Sequence, residues 1–277
     1  MVTAASPLKL NIMEAVGTRE LLIFYRFFEI PDPRATGERW LAHATQLDLK
    51  GTFIVAGEGT NSALAGPAPV LDEFIESLRG DFDWSVATVK RLPLDAGESP
   101  YRRLKLKIKP EICTFRHDSN HDLNDGRFVS PAEFHAAAAD PNTVFLDVRN
   151  NYEARIGTFR GARVIDMEHF PEMPDHMAEL EDLKGKRVIG FCTGGIRCEK
   201  AIPYLREQGF DAYELEGGIL KYLMEYPDGL WEGECFVFED RYSLTGDLRK
   251  GSYDPCPTCG QPSKDGACVA CGGEVAS

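Results

Sequence analysis

The stretch Val188-Ile189-Gly190-Phe191-Cys192-Thr193-Gly194-Gly195-Ile196-Arg197-Cys198 decides the fold of the larger part of this 277-residue chain. It joins an apolar segment, predicted to be a buried strand, to a segment predicted to be a helix. Gly194 and Gly195 let the backbone curl so that amide N–H groups point inward, and the helix adds the positive end of its dipole. Such a loop favours an anion, and with Arg197 it is expected to lower the pKa of the Cys192 thiol. The alternative is that Cys192 is an inert core cysteine.

Two further stretches flank this loop in order. They are Val144-Phe145-Leu146-Asp147-Val148-Arg149-Asn150 with Tyr152, Glu153 and Gly157–Ala162, and downstream Leu215-Glu216-Gly217-Gly218-Ile219. With the loop, they resemble the rhodanese (sulfurtransferase) domain, whose active-site loop begins with a nucleophilic cysteine and carries an arginine near its end. Strands that alternate with helices predict a doubly wound parallel sheet, with reactive groups at the carboxyl ends of its strands. Cys192 and the segment from Asp147 to Arg149 lie at such ends. The sequence leaves open whether Arg149 and Arg197 bind substrate or brace the loop.

The N-terminal part is predicted to be a separate α+β domain. Strands are predicted at Leu21–Ile30, Gly51–Ala56, Ala63–Ala65, Trp84–Arg91 and Leu104–Ile108, and helices at Pro33–Leu49 and Val70–Leu78. This β-α-β-β-α-β order indicates a ferredoxin-like, or acylphosphatase-like, sandwich. The stretch Gly57-Glu58-Gly59-Thr60-Asn61 is interpreted as a hairpin turn, with the alternative that Glu58 and Asn61 face a substrate.

A basic segment lies near the end of that domain. Its cations are Lys90, Arg91, Arg102, Arg103, Lys105, Lys107 and Lys109. The last four alternate with Leu104, Leu106 and Ile108, so one face of the predicted strand is apolar and the other is a row of positive charges. The row is interpreted either as a surface that contacts phosphates or as an edge strand that lysines protect from aggregation.

The C-terminal part carries two Cys-x-x-Cys pairs. They are Cys256-Pro257-Thr258-Cys259 and Cys268-Val269-Ala270-Cys271, each followed by glycine. Four cysteines in this spacing predict a structural zinc site. Two alternatives stay open: a redox pair that resolves a sulfur species on Cys192, and unligated thiols. The predicted domain boundaries are residues 18–112, a polar linker at 113–126, the rhodanese-like domain at 127–232 and the Cys-rich segment at 233–277.

Composition restricts the class of protein. The chain is 43% hydrophobic and 27% charged, with a net charge of −13, so it has no general affinity for nucleic acid and nothing points to DNA. Residues 1–20 lack the pattern of a secretory signal, no apolar run has the length of a membrane span, and a cytoplasmic protein is expected. Eight cysteines, four of them in Cys-x-x-Cys pairs, fit metal or redox chemistry better than a disulfide framework. No motif for a nucleotide, flavin, haem or non-haem iron site is present.

Four features together resemble the bacterial tRNA uridine hydroxylase group, a branch of rhodanese-related proteins. They are the acylphosphatase-like unit, the Gly57–Asn61 turn, the cysteine-bearing tail and the loop Cys192-Thr193-Gly194-Gly195-Ile196-Arg197-Cys198-Glu199-Lys200. The resemblance covers roughly residues 20–275. It implies an oxidoreductase of EC 1.14 type that uses molecular oxygen to convert the wobble uridine of tRNA, position 34, to 5-hydroxyuridine. By motif position, Cys192 is the expected catalytic residue and Cys198 a second thiol, and residues 18–112 are the expected tRNA-binding part.

Two mechanisms and two other function classes remain open at this point. Cys192 either adds to C6 of the uracil and raises electron density at C5, or carries an oxygenated sulfur that Cys198 resolves. In a different class, the protein is a sulfurtransferase that forms a persulfide on Cys192 and passes sulfur to a thiol or to cyanide. A non-catalytic RNA- or protein-binding module is the third possibility, which the intact cysteine loop disfavours.

Overall fold

The structure is a computed structural model that describes residues 18–95, 97–117 and 128–271. The chain divides into two compact units, Met1–Ile112 and Cys113–Ser277. Residues 118–126 of the predicted linker, residue 127 and residues 272–277 of the Cys-rich segment lie outside the described residues, as do residues 1–17.

The first unit is a five-stranded sheet with two helices. Its elements are β1 (Arg19–Phe27), α1 (Pro33–Gln46), β2 (Lys50–Ala56), β3 (Gly59–Pro67), α2 (Ala68–Ser77), β4 (Thr88–Pro93) and β5 (Leu104–Ile108). The strand order is β4-β1-β3-β2-β5, and β5 runs parallel to β2 while the other pairs are antiparallel. The predicted ferredoxin-like arrangement is confirmed, and β5 extends it by one edge strand.

Local signals in the sequence account for these elements. Asp32 begins α1 because its carboxylate accepts the Ala35 N–H at 2.9 Å, and proline follows at the first helical position. A core that includes Trp40, Phe53 and Phe74 lies against the helices. One prediction was wrong: the strand expected from Trp84 begins at Thr88, because Trp84–Val86 forms a single 3₁₀ turn.

The second unit contains the parallel sheet. Its elements up to the sheet's last helix are β6 (Phe128–Val129), α3 (Pro131–Ala137), β7 (Thr143–Asp147), α4 (Asn151–Ala154), β8 (Gly157–Phe159), β9 (Arg163–Val164), β10 (Arg187–Phe191), α5 (Cys198–Glu207), β11 (Asp211–Leu215) and α6 (Gly218–Glu225), with 3₁₀ turns over Phe170–Leu183. The strand order is β6-β11-β10-β7-β9, and all neighbouring pairs are parallel. The predicted doubly wound sheet is confirmed, with β10 at its centre.

Both faces of this sheet are covered, as parallel sheets require. One face packs on a cluster that includes Leu146, Val188 and Leu205. Phe115 also belongs to this cluster and stacks on Phe170 with ring centroids 4.9 Å apart. The first residues of the predicted linker therefore form part of the second unit's core, because the polar stretch begins only after them. On the rest of the sheet, Phe134 stacks on another aromatic ring at 3.9 Å.

Short strands complete the second unit. They are β12 (Trp231–Gly233), β13 (Cys235–Phe236), β14 (Ser243–Leu244), β15 (Asp254–Pro255), β16 (Pro262–Lys264) and β17 (Ala267–Cys268). β12 pairs with β8, β13 with β14, and the last three form a small antiparallel sheet. Within the described part of the chain, no helix has both the length and the apolar content needed to cross a lipid bilayer.

Candidate active site

The Cys192 loop leaves the carboxyl end of β10, the central strand, and leads into α5. Gly195 has a φ of +99°, a left-handed conformation that its missing Cβ permits. This bend turns the Gly195 N–H back toward Cys192, whose sulfur accepts it at 3.1 Å. Cys192 is buried, with 1% of its surface exposed. The predicted strand, loop and helix are therefore confirmed, with the sulfur on the inside of the curl.

The surroundings of Cys192 stabilise its thiolate. Burial disfavours the charged form, but a hydrogen bond from the Cys198 thiol, the charge of Arg197 and the backbone amides of Arg197 and Gly195 act in the opposite direction. Together they hold the pKa of Cys192 well below the ordinary value of a thiol. A lowered pKa increases the fraction of this sulfur that is the nucleophilic thiolate at neutral pH.

Cys198 is affected in the opposite sense. Burial and its hydrogen bond to the neighbouring Cys192 raise the pKa of Cys198 well above the usual value. The two thiols thus form an unequal pair, in which Cys192 is the more acidic thiol and Cys198 donates the hydrogen bond between them.

Arg197 is fixed by an ion pair inside the protein. Its two terminal nitrogens donate to the two carboxylate oxygens of Glu153 at 2.6 and 2.8 Å, and the Glu153 side chain is fully buried. Glu153 also accepts the Asn150 N–H at 3.2 Å, as part of the capping box that begins α4. The Glu153 charge keeps Arg197 protonated, and the pair fixes the guanidinium beside the loop.

Asp147 and Arg149, at the end of β7, form a second buried ion pair. Arg149 donates to Asp147 through Nε at 2.9 Å and through Nη2 at 2.6 Å, and Nη2 also donates to the Gly157 carbonyl at 2.6 Å. Thr158 donates to the same carboxylate at 2.8 Å. Both arginines that sequence reasoning singled out are therefore held by buried carboxylates, an arrangement that braces the loop and the strand end.

The start of α6 anchors the loop from the other side. The N–H groups of Ile219 and Leu220 donate to the carbonyls of Cys192 and Thr193 at 2.9 and 3.1 Å. Gly218 makes this approach possible, since a Cβ at its position would lie 2.4 Å from the Cys192 carbonyl oxygen. The closing signature predicted from the sequence is thus the segment that docks against the cysteine loop.

A C-terminal segment that sequence reasoning did not assign to the site covers one side of the loop. We call residues 235–242 the cover segment. The Thr193 hydroxyl donates to the Phe236 carbonyl at 3.3 Å, and the Phe236 ring packs edge-on against Tyr152 at 5.3 Å. Phe238 is 66% exposed, and its ring lies 5.8 Å from the guanidinium carbon of Arg197. An exposed aromatic ring therefore lies beside the charged end of the loop.

The four C-terminal cysteines converge. The sulfur atoms of Cys256, Cys259, Cys268 and Cys271 all lie within 4.8 Å of one another, and none is in a disulfide. The structure thus brings together the four cysteines that their spacing in the sequence marked as possible metal ligands.

The basic strand is β5, at the edge of the first unit's sheet. Lys105 and Lys107 are exposed, whereas Leu104 and Leu106 pack toward the core, so the predicted alternation is confirmed for these four residues. Ile108, predicted on the buried face, is 36% exposed, because it lies at the end of an edge strand. Arg103 and Lys109 flank the strand and are exposed.

Fewer cations of the basic segment belong to the exposed row than its composition indicates. Lys90 is buried, and its ammonium lies 5.4 Å from the centre of the Tyr25 ring. Arg91 pairs with Asp72 at 2.5 Å and with Glu20 at 3.4 Å. Both side chains therefore have partners of their own, and β5 and its flanks carry the row of cations.

The stretch from Gly57 to Asn61 is a two-residue hairpin, because Ala56 pairs with Gly59. Glu58 accepts the Ile112 N–H at 2.7 Å. The hairpin interpretation is supported, and the Glu58 carboxylate holds the end of the first unit.

Sequence reasoning missed three participants of the site. Glu153 was recognised only as part of a signature, although Asn150 and Glu153 have the spacing of a capping box and mark a carboxylate at a helix start. Phe236 and Phe238 gave no signal, because their position beside the loop depends on a contact more than 40 residues away along the chain.

Two protein-family models match the two units of the chain. Residues 19–112 match the family model described as UPF0176 acylphosphatase like domain, and residues 130–225 match the Rhodanese-like domain model. Among solved structures, a rhodanese-related protein from Thermoplasma volcanium is 24% identical, covering 36% of this chain and 92% of that one, with a TM-score of 0.32. A low-pKa cysteine loop at the end of a central parallel strand defines the second unit as a rhodanese-like domain, preceded here by an acylphosphatase-like one.

Curated relatives extend across both domains. A tRNA uridine(34) hydroxylase of Picosynechococcus sp. is 41% identical over 248 residues, which cover 87% of this chain and 82% of the relative. A tRNA uridine(34) hydroxylase of Teredinibacter turnerae is 40% identical over 243 residues, which cover 86% of this chain and 75% of the relative. The chain belongs to the tRNA uridine(34) hydroxylase family, and the resemblance drawn from the sequence is confirmed.

Proposed function

We propose that this protein hydroxylates C5 of the wobble uridine, position 34, of tRNA in the cytoplasm, with molecular oxygen as co-substrate and Cys192 as the catalytic residue. The observation that carries the proposal is the low pKa of Cys192, in a loop built to hold a sulfur anion, within a chain about two-fifths identical to named hydroxylases. The thiolate supplies the nucleophile that uracil chemistry needs, since C6 of uracil is electrophilic.

The first mechanism is addition of Cys192 to C6 of the uracil. The Cys192 thiolate forms a C6–S bond, and the electron pair of the C5–C6 bond becomes available at C5 for attack on an electrophilic oxygen. Loss of the C5 proton and departure of the thiolate restore the double bond. One atom of dioxygen enters the C5–H bond, and the other becomes water by taking two electrons and two protons from a thiol reductant, which is oxidised to a disulfide. Cys192 is regenerated unchanged.

The second mechanism, an oxygenated sulfur on Cys192 that Cys198 resolves, makes a different demand on Cys198. The two residues are hydrogen-bonded neighbours, so a disulfide between them is a short path. Replacing Cys198 by serine keeps a hydrogen-bond donor and removes the redox sulfur, whereas alanine removes both. Addition at C6 therefore predicts that the serine variant turns over with unoxidised Cys192 and that the alanine variant is slower. The resolving mechanism predicts that both variants accumulate oxidised Cys192 when the thiol reductant is limiting, because no neighbouring thiol converts the oxygenated sulfur to a disulfide and water.

Phe238 is suited to hold a base beside the loop. Phe238 belongs to the cover segment, and its exposed ring lies beside the Arg197 guanidinium at the end of the Cys192 loop. Stacking of a nucleobase on an exposed aromatic ring contributes about 1–3 kcal/mol. We expect Phe238 to stack on uridine 34 or on a neighbouring anticodon base, with affinity as its main contribution.

The cations of β5 are suited to the phosphates of tRNA. Their side chains share one face of the strand with spacing of two residues, and such contacts bind any sequence and weaken with salt. Sequence specificity would then come from the bases near the cysteine loop and not from this strand.

Nucleoside mass spectrometry of tRNA tests the proposal. Cells that lack the protein are complemented with the wild type or with Cys192→Ser, and purified protein is assayed on the undermodified tRNA under ¹⁸O-labelled dioxygen with a thiol reductant. We expect 5-hydroxyuridine at position 34 only with the wild type, with the added oxygen labelled. Product from Cys192→Ser would remove Cys192 from the chemistry, and unlabelled product would remove dioxygen as the oxygen source.

A persulfide-forming sulfurtransferase remains the second candidate, because the same N–H groups and the same Arg197 charge that stabilise a thiolate stabilise a persulfide. Its test is transfer of sulfur from thiosulfate to cyanide or to a thiol. Sulfur transfer with unchanged tRNA nucleosides would favour this candidate over the hydroxylase.

A further inference from the structure

The four C-terminal cysteines have the geometry of a metal site. A tetrahedral zinc ion with zinc–sulfur bonds of about 2.3 Å places its sulfur ligands about 3.8 Å apart. Cys256 and Cys271 are 3.9 Å apart, and Cys259 and Cys268 are 3.5 Å apart. Disulfides need only pairwise approach, whereas here all four sulfurs converge on one point.

The backbone around the cysteines fits bound thiolates. The N–H groups of Ala270 and Cys271 point at the Cys268 sulfur at 3.4 and 3.5 Å, as expected where a turn curls around a metal-bound sulfur. In the first pair, the Gly260 N–H closes the corresponding turn on the Cys256 carbonyl at 2.7 Å. The two Cys-x-x-Cys turns thus face each other across one central point.

The segment that carries the four cysteines buries very few side chains that could stabilise its fold. In the described residues 254–271, the buried side chains are those of Cys256, Pro262, Ser263 and Cys268. A three-stranded sheet of two or three residues per strand, without an apolar core, is too small to fold on its own. Metal binding is the usual source of folding free energy for such a segment.

One hydrogen bond from each turn connects this segment to the residues around the Cys192 loop. The Tyr242 hydroxyl donates to the Gly260 carbonyl at the first turn, and the Tyr242 ring packs edge-on against Phe236 at 5.0 Å. Arg155, at the end of α4, donates to the Val269 carbonyl at 2.8 Å at the second turn. The first connection reaches the cover segment, and the second reaches the helix that carries Glu153.

We propose that Cys256, Cys259, Cys268 and Cys271 bind one zinc ion, and that the zinc-bound segment 254–271 holds the cover segment against the Cys192 loop. No reaction at zinc is involved, because all four positions of the tetrahedron are filled by protein sulfur. The ion acts on the active site through position alone: it fixes Gly260 and Val269, and these fix Tyr242 and Arg155. This proposal is independent of the reaction that Cys192 performs.

Metal analysis of the purified full-length protein is the first test. We expect one zinc per chain in the wild type and in Cys113→Ser, a control that removes a cysteine outside the cluster. Cys259→Ser, at an exposed ligand, should lose the zinc. Absence of metal from the wild type, iron in place of zinc, or disulfides among the four cysteines would each overturn the site.

Alkylation of Cys192 is the second test, and it reports on the cover segment without an activity assay. Iodoacetamide labelling of Cys192, followed by peptide mass spectrometry, is compared between zinc-loaded wild type and wild type treated with a chelator. Loss of the two connecting hydrogen bonds should increase opening of the cover, and hence the labelling rate, by about tenfold. Cys259→Ser should resemble the chelated protein, whereas Thr258→Ser, at an exposed side chain of the same turn that offers no ligand in the predicted set, should resemble the untreated one.

If Cys259→Ser does not fold, the comparison of zinc-loaded with chelated wild type still tests the anchoring role. Its far-ultraviolet circular dichroism should stay close to that of the zinc-loaded protein, because the rhodanese-like sheet has its own core. An unchanged Cys192 labelling rate after zinc removal would refute the anchoring role even where zinc is bound. Loss of hydroxylation without loss of zinc would leave this inference intact and bear only on the proposed function.

Discussion

Replacing Arg197 by glutamine should destabilise the rhodanese-like domain and raise the pKa of Cys192 at the same time. Glu153 is fully buried, and the bidentate pair with Arg197 satisfies both of its oxygens. Removing one partner of a buried ion pair leaves an uncompensated charge and costs about 3–5 kcal/mol. Arg160→Gln is the matched control: Arg160 pairs with Glu232 at 2.7 Å, but both side chains are more than half exposed. A pair of that kind contributes about 0–1 kcal/mol.

The double variant Glu153→Gln/Arg197→Gln separates bracing from electrostatics. It removes both charges, so it should recover much of the stability that Arg197→Gln loses. It should not restore the low pKa of Cys192, because the positive charge that favours the thiolate is still missing. Stability is measured by urea unfolding, and the thiolate by its ultraviolet absorbance and its alkylation rate as functions of pH.

Three results would refute this reasoning. The ion pair would not brace the loop if Arg197→Gln lost no more stability than Arg160→Gln. An orphaned charge would not be the cause if the double variant were less stable than the single one. Arg197 would not stabilise the thiolate if the pH midpoint of Cys192 alkylation were the same in both variants as in the wild type.

Three further predictions concern charge, pH and stacking. Serine at three cations of β5 and its flank should weaken tRNA binding and reduce the slope of log affinity against log salt by about 2–3, at about 0.7–0.9 per phosphate contact. Serine at three cations in α1 and just after α2, which already have carboxylate partners, should change neither the affinity nor the slope. The first set is Lys105, Lys107 and Lys109, and the control set is Arg34, Arg39 and Arg79. Folding lowers the pKa of Cys192, so the wild type should gain stability relative to Cys192→Ser as the pH rises from that lowered pKa toward 9.0, the ordinary thiol value, and should lose this gain as the pH falls through the lowered pKa. Urea unfolding measured across this range would show no such gain if the thiol were protonated in the folded state. Phe238→Leu should raise the KM for tRNA by about 5- to 100-fold with little change in kcat, Phe238→Tyr should retain the wild-type KM, and Phe128→Leu, at another exposed ring, should have no effect.

The sequence predicted best those features whose causes are local. The curl of the Cys192 loop follows from two glycines between a strand and a helix, and the alternation on β5 follows from the pleat of a strand. Both are confirmed. The sequence was wrong at Trp84, where a capped 3₁₀ turn delays the strand, because the apolar pattern does not distinguish a turn from extended backbone at its first residues.

The partners of local features were not predictable. Arg197 was expected beside the loop, yet its carboxylate lies 44 residues earlier, and no periodicity connects the two. Lys90 was counted with the basic segment, but its ammonium is buried over an aromatic ring. The cover segment appeared only as a stretch before the cysteines, since its contacts depend on how β13 packs against the loop. Tertiary partners at long separation are decided by packing, which the sequence pattern does not encode.

The order in which the site's parts occur along the chain bears on its synthesis. The Cys192 loop is held by Glu153 from before it, by Ile219 and Leu220 shortly after it, and by Phe236 further on. No nascent chain that ends before Phe236 contains the whole set, and the exit tunnel keeps the most recent residues from folding. A ribosome-bound intermediate therefore presents a folded N-terminal domain long before it presents a shielded thiolate. Chains that end between Leu220 and Phe236 contain the residues that hold the Cys192 loop but lack the cover segment, so Cys192 is more accessible to oxidants in them than in the full-length protein.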